Sequence, residues 1–211
     1  MDILGIDEAG RGSVLGPLVI AGVVIDNRKE SILENMGVKD SKKLTPDRRK
    51  VLARKLKKMF EYDTVIYSAQ DIDEMRSQGI NLNEIERKGM QEIIQKLDFD
   101  EAIVDAVDVK PLRFQDKLQR ATGKNIKAEH KADDKYIEVS AASIIAKQTR
   151  DEAIAEINKY FEDVGGIGSG YPSDPTTKKF LSNYTYNEMP GFVRKSWSTV
   201  SKLKNVQTTL I

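Results

Sequence analysis

Two aspartates occupy positions where a carboxylate is unfavourable. Asp7 ends an apolar run after Ile3, Leu4 and Ile6, and Asp105 follows Ile103 and Val104. A charge buried in such a strand without a partner is strongly destabilising and calls for a cation. Few basic residues neighbour either one along the chain. Glu8 lies beside Asp7, and Asp133 and Asp134 follow a short strand-like stretch at 126–129. Acids at the ends of several strands, gathered at one sheet edge, would form a site of hard oxygen donors. Such a site suits Mg²⁺ or Mn²⁺. Zinc would want sulfur or imidazole, and the chain has no cysteine and one histidine. A pair of hard ions can activate water and stabilise the leaving oxygen of a phosphodiester. The ordinary alternative is that each acid caps or pairs locally; Asp108 and Asp134 are acids of the same kind. Strand side chains alternate, so Asp7 and Glu8 face one site only if a turn or bulge begins at Glu8.

Gly10-Arg11-Gly12 follows the Asp7 strand and resembles the start of a dinucleotide-binding loop. That fingerprint needs a third glycine at position 15 and a helix behind it. Position 15 is Leu, the next glycine is Gly16, and Pro17 opens a β-branched stretch. No Gly-Lys-Ser/Thr phosphate loop occurs either. The glycines therefore serve a turn, or leave backbone N–H groups open to a ligand.

The elements that must position these residues are legible in outline. Strands are expected at 2–8 and 17–26, paired as a hairpin, then at 62–68, 101–106 and 126–129. Thr45-Pro46 reads as a cap and first turn of a basic helix reaching Phe60. Further helices are expected from Ser68 or Gln70 to Gly79, from Asn81 through Leu97, over 110–121, 139–160, 174–183 and 194–204. Glycine-rich 165–170 is the only candidate boundary. Strands alternating with helices give a mixed α/β sheet.

Composition bounds the rest. Of 211 residues, 39% are apolar, enough for a core, and no uncharged run is long enough to span a membrane. The N-terminus carries acids where a signal peptide would be basic, so a cytoplasmic protein is expected. Without cysteine and with one histidine, disulfides, thiolate sites and most histidine-based triads are excluded. Basic and acidic residues nearly cancel, 34 against 33. Local patches therefore decide where a polyanion docks. Residues 42–58 hold nine basic residues against one acid, Asp47. This stretch is either a phosphate-tracking face or a solvated helix surface.

The ordered motifs resemble the ribonuclease HII family. Gly5-Ile6-Asp7-Glu8-Ala9-Gly10-Arg11-Gly12 with Gly16-Pro17-Leu18-Val19 is similar to its opening. Lys39-Asp40-Ser41-Lys42-Lys43-Leu44 and the strand ending Ile103-Val104-Asp105-Ala106 follow in family order. So do Glu129 to Tyr136, Ser140 to Lys147 with Arg150-Asp151, and Gly168 to Pro175. The likeness runs from residue 3 to about 198.

The resemblance implies a ribonuclease H-like mixed five-stranded sheet flanked by helices, in a catalytic domain over 1–168. A helical C-terminal region over 169–206 and a tail at 207–211 would follow. It implies an endonuclease that hydrolyses the RNA strand of RNA–DNA hybrids and cuts 5′ to ribonucleotides embedded in duplex DNA. Two Mg²⁺ or Mn²⁺ ions would be held by Asp7, Glu8, Asp105 and Asp133, leaving 3′-hydroxyl and 5′-phosphate ends. Asp133 is preferred to Asp134 by its spacing from Lys135. Gly10, Arg11 and Gly12 would read the RNA–DNA junction, Tyr171 would stack on the neighbouring sugar, and Lys42 and Lys43 would contact substrate. The expected setting is DNA replication and repair, as a monomer. Two rivals are a non-catalytic hybrid-binding module and a DNA nuclease or resolvase of the same fold.

Two departures stand out. The family usually has Pro where this chain has Ser13, which is expected to loosen the turn, and Pro near Glu138. Among other features, Arg194, Lys195, Lys202 and Lys204 are expected on a helix that grips duplex. His130 reads as structural. Phe192 and Trp197 are expected to pack the C-terminal region on the main domain. Gln207 and Leu210 resemble the start of the motif that docks replication factors on the sliding clamp, without its aromatic pair.

Overall fold

The computed structural model describes the backbone of residues 1–207 and side chains through residue 203. Five strands form one mixed sheet: β1 (Asp2–Ala9), β2 (Leu18–Asp26), β3 (Tyr62–Tyr67), β4 (Glu101–Asp105) and β5 (Ile126–Glu129), in the order β3-β2-β1-β4-β5. β1 pairs with β2 antiparallel and with β4 parallel, and β4 pairs with β5 parallel. The helices are α1 (Glu30–Met36), α2 (Pro46–Met59), α3 (Ala69–Ser77), α4 (Leu82–Lys96), α5 (Pro111–Thr122), α6 (Ala132–Lys135), α7 (Ile137–Lys159), α8 (Pro175–Ser182) and α9 (Ser198–Gln207). Among the described residues no helix is long and apolar enough to cross a membrane.

The residues cluster into two compact units. The first comprises Met1–Ala9, Val19–Ile66 and Asn83–Thr149; the second comprises Gly10–Leu18, Tyr67–Leu82 and the chain from Arg150 onward. In the first, Val19, Ala21, Val23 and Ile25 of β2 pack against Leu52 and Leu56 of α2 and Ala141, Ala142 and Ile145 of α7. The alternation of β2 selects that face. The small residues at the start of α7 allow close approach to the sheet. A Cβ at Gly5 would meet the Glu138 carbonyl carbon at 2.2 Å, so only glycine fits in β1 there. In the second unit, Val14, Leu15, Ile167, Phe180, Met189 and Val193 form a separate core.

Three sequence expectations need correction. The stretch 27–43 carries α1 and a 3-10 segment (Val38–Lys43), where no element was anticipated; α1 is too short for its periodicity to stand out. Asp133 and Asp134 precede the long helix α7, but they themselves lie inside a one-turn helix, α6, that was not anticipated. The last helix starts at Ser198, not 194.

Candidate active site

Parallel pairing aligns Ile6 with Val104. One residue further along, Asp7 in β1 lies beside Asp105, the last residue of β4, on the same face of the sheet. Asp7 is 6% exposed. Burial holds its carboxyl well above the usual range, and the charges of Glu8, Asp105 and Asp133 push it the same way. Its Oδ1 accepts the Glu8 N–H at 2.7 Å. Asp105 is also raised, by burial first and by the Asp133 charge, against an opposing hydrogen bond from the Ala132 N–H at 3.1 Å. That bond exists because Lys131 takes a left-handed conformation, φ 55°, and turns the start of α6 toward β4. α6 thereby carries Asp133 toward the Asp7–Asp105 pair.

The expected bulge at Glu8 is absent. The register is unbroken through Asp7↔Ala21, Glu8↔Ile20 and Ala9↔Val19. The turn begins at Gly10. Glu8 still exerts the largest charge effect on Asp7, so side-chain reach rather than a backbone kink connects them.

Lys42 is the cation of this cluster. Its Nζ lies 3.0 Å from Asp133 Oδ2 and 2.5 Å from Asp134 Oδ1. The hydrogen bond to Asp134 is the main reason its ammonium is held above the ordinary lysine range. Lys43 instead pairs with Asp40 at 2.9 Å. Asp108 is tied to Arg113, which draws its carboxyl below the usual range, and His130 packs against the carbonyls of Ala106 and Val109.

Among the described residues no three carboxylates form a ready cage for one ion. The donor set nevertheless fits a hard divalent cation. It is all oxygen, one member is buried, and burial with the charges of neighbouring acids raises the proton affinity of Asp7 and Asp105. A multivalent cation relieves that repulsion better than one ammonium beside Asp133 can. Asp7, Glu8, Asp105 and Asp133 are the residues that could hold such an ion.

The second unit contains the glycine turn. Gly10 is structural: its φ is +84°, and a Cβ would meet the Pro17 carbonyl oxygen at 2.5 Å. Gly12 differs, because a Cβ there would meet nothing within 4 Å. Its bareness leaves open space rather than satisfying a packing need.

Ser13 does not loosen the turn. It is fully buried, and its Oγ lies 2.5 Å from the Leu15 carbonyl and 2.9 Å from the Gly170 carbonyl. Arg150, 2% exposed, donates to that Oγ at 3.0 Å and to the Ser169 carbonyl at 2.5 Å. The same guanidinium lies 4.8 Å from the Tyr171 ring centroid. One buried cation thus ties the glycine turn to the tyrosine loop.

Arg194 is the second correction here. It is fully buried, donating to the carbonyls of Gly16 and Arg11 at 3.0 Å each. It braces the turn from inside and cannot grip duplex as expected. Phe192 and Trp197 pack against this unit's core. Sequence reasoning missed Arg150 and Arg194 as turn supports. Their local sequence carried no signal: Arg150 stands among Lys147, Gln148, Asp151 and Glu152, and Arg194 stands beside Lys195. The side chains of Lys204 and Gln207, and all of Leu210, lie outside the described residues.

Carboxylates set side by side on adjacent parallel strands of a β3-β2-β1-β4-β5 mixed sheet define a ribonuclease H-like fold with a candidate metal centre. Residues 4–200 match the family model for ribonuclease HII. The chain is 71% identical over 207 residues to ribonuclease HII of Methanobrevibacter smithii, covering 98% of this chain and all of that one. It is similar to the crystal structure of ribonuclease H2 from Pyrococcus horikoshii, with a TM-score of 0.88, 41% identity and 98% of each chain covered. It also resembles a chain of the PCNA:RNase HII complex from Archaeoglobus fulgidus, with a TM-score of 0.85, 42% identity, and 94% and 96% covered. The chain belongs to the ribonuclease HII family. It is a ribonuclease H, a metal-dependent endoribonuclease that hydrolyses phosphodiesters.

Proposed function

We propose that this chain cleaves the RNA strand of RNA–DNA hybrids and cuts duplex DNA 5′ to embedded ribonucleotides, leaving 3′-hydroxyl and 5′-phosphate ends. The supporting observation is Asp7 beside Asp105, raised in proton affinity by burial and by the neighbouring acids. Such a carboxylate gains most from a divalent cation. Asp7, Glu8, Asp105 and Asp133 would hold Mg²⁺ or Mn²⁺, two ions with substrate. When bound, those ions would supply activation of the attacking water and neutralisation of charge on the departing 3′ oxygen. Asp7 anchors the set, fixed by the strand and by the Glu8 N–H. Lys42 would exchange its carboxylate partners for substrate phosphate, and Lys43 would add a second, more exposed contact. Gly10, Arg11 and Gly12 would approach the junction with backbone, reading the 2′-OH. Tyr171, held by Arg150, would stack on the adjoining sugar.

The catalytic region would span 1–168, the helical region 169–206 and the tail 207–211, in a cytoplasmic monomer acting in replication and repair. Gln207 and Leu210 would dock on the sliding clamp. The PCNA complex of the Archaeoglobus fulgidus protein supports that reading.

The deciding experiment is cleavage of a labelled DNA duplex carrying one ribonucleotide, with Mg²⁺, with Mn²⁺ and with EDTA, beside an all-DNA control. A single metal-dependent cut 5′ to the ribonucleotide is expected. Cutting of long hybrids alone would overturn the junction reading. Binding without any cleavage would leave a non-catalytic module.

A further inference from the structure

The second unit holds a cavity of about 440 Å³ beside the glycine turn. Arg11, Gly12 and Arg76 line it together with Ser196, Trp197 and Ser198. Its lining carries two guanidinium groups and no carboxylate. On the Ser196 side, Asp73 is engaged with the N–H groups of Lys195 and Ser196, at 2.7 and 2.9 Å.

Arg76 decides what the cavity can take. It stands at the end of α3, exposed, and its guanidinium lies 5.3 Å from the Trp197 ring centroid. Among the described residues it forms no ion pair. An arginine oriented by an aromatic face is held in place while keeping its full charge and its hydrogen-bond donors. An arginine held by a carboxylate would lose much of both. Trp197 is itself fixed on the buried Arg194, 4.7 Å from its centroid. The Ser196 Oγ is buried with no hydrogen-bond partner, and α9 begins at the cavity with no acid in its first turn. Guanidinium and hydroxyl groups around a cavity without carboxylates match a phosphate oxyanion.

We propose that this cavity is a phosphate subsite, with Arg76 as its principal cation. It would hold a backbone phosphodiester of the duplex, through contacts independent of base sequence. The assignment rests on the nuclease reading above and adds to it a contact outside the family motifs.

The test is binding of a labelled duplex by fluorescence anisotropy in EDTA, from 50 to 200 mM KCl. Wild type, Arg76→Ala and Arg76→Lys are each measured on a single-ribonucleotide duplex and an all-DNA duplex. For Arg76→Ala the proposal expects roughly tenfold weaker binding at low salt, the size of one charge-assisted hydrogen bond. The slope of log K against log salt should fall by about 0.9, the release of one phosphate's counterion. Both duplexes should lose equally, because a backbone contact carries no sequence information. Arg76→Lys should restore most of the slope, which a change in folding alone would not produce. An Arg76→Ala slope and affinity equal to wild type would overturn the subsite. So would a loss confined to the ribonucleotide duplex, which would make Arg76 part of the junction reader. Failure of the nuclease reading looks different: wild type itself would not cleave either substrate with metal.

Discussion

Asp7 sits where burial and three neighbouring acids act in the same direction. Its carboxyl is raised in the folded chain and ordinary in the unfolded one. A raised acid stabilises the fold only while protonated, and that contribution is lost as pH rises through the folded pKa. Without metal, Asp7 therefore costs the fold stability as pH rises from acid toward neutral. Asp7→Asn should reduce turnover by at least about 100-fold, by analogy with removal of a key electrostatic group, while duplex binding in EDTA changes little. The same variant should melt roughly 2–4 °C higher in EDTA at pH 7, about 1 kcal/mol for a chain this size. The difference should close toward acid pH, where Asp7 is protonated. Unchanged turnover would remove Asp7 from the site. Gly12 gives a complementary case. A methyl there meets nothing, so Gly12→Ala should melt within about 0.5 kcal/mol of wild type. If the turn touches substrate, affinity for the ribonucleotide duplex should fall. Equal affinity would make Gly12 an ordinary turn glycine.

At the scale of elements, short caps and crossings do the positioning. Asp174 caps α8 through the Thr176 N–H at 2.8 Å and holds the Ser169 N–H at 2.6 Å. The hydrogen bonds from Ser169, then that from Thr176, pull its carboxyl down to about 2. A depressed acid contributes stability above the unfolded pKa and loses it as pH falls through the folded one. Asp174→Asn should cost about 1 kcal/mol at pH 7, as a lost cap. The gap to wild type should shrink between about pH 4 and pH 2. A gap that does not vary with pH would show that the amide, not the charge, matters. The same loop carries Tyr171, so this variant should also weaken discrimination for the single ribonucleotide. Ser13 belongs to this scale too. The resemblance led to an expected proline at this position, yet the Ser13 hydroxyl joins residues 13–15 to residues 169–170 and to Arg150. A side-chain hydrogen bond takes the place of a restricted backbone.

For the whole molecule, metal binding should appear as stability. An ion that binds the folded chain alone raises stability by RT ln(1 + [L]/Kd), about 2.7 kcal/mol at a hundredfold excess over Kd. Adding Mg²⁺ or Mn²⁺ to EDTA-treated protein should therefore raise Tm by several degrees, and Asp105→Asn should abolish most of the rise. Equal shifts in both would place the ion elsewhere. The two compact units are interleaved in the chain. The turn 10–18 belongs with residues 67–82 and the chain from 150 onward, whereas Asp7 and Glu8, just before it, belong with the sheet.

Periodicity and punctuation in the sequence determined the five strands and most helices. Thr45-Pro46, Ser68 and the alternation of β2 act locally, through caps and side-chain period, so they are readable without neighbours. The four acids stood out for a related reason: a carboxylate at the end of an apolar run is anomalous by itself. What folding alone decided is set by contacts distant in sequence. Lys42 reaches Asp133 across 91 residues, Arg150 reaches Ser13 across 137, and Arg194 reaches Arg11 across 183. Local composition could not tell a braced buried arginine from a surface one, because burial is a property of the packed chain. The unbroken register at Glu8 was likewise fixed by its partner strand, since a ladder is defined by two strands and not by one.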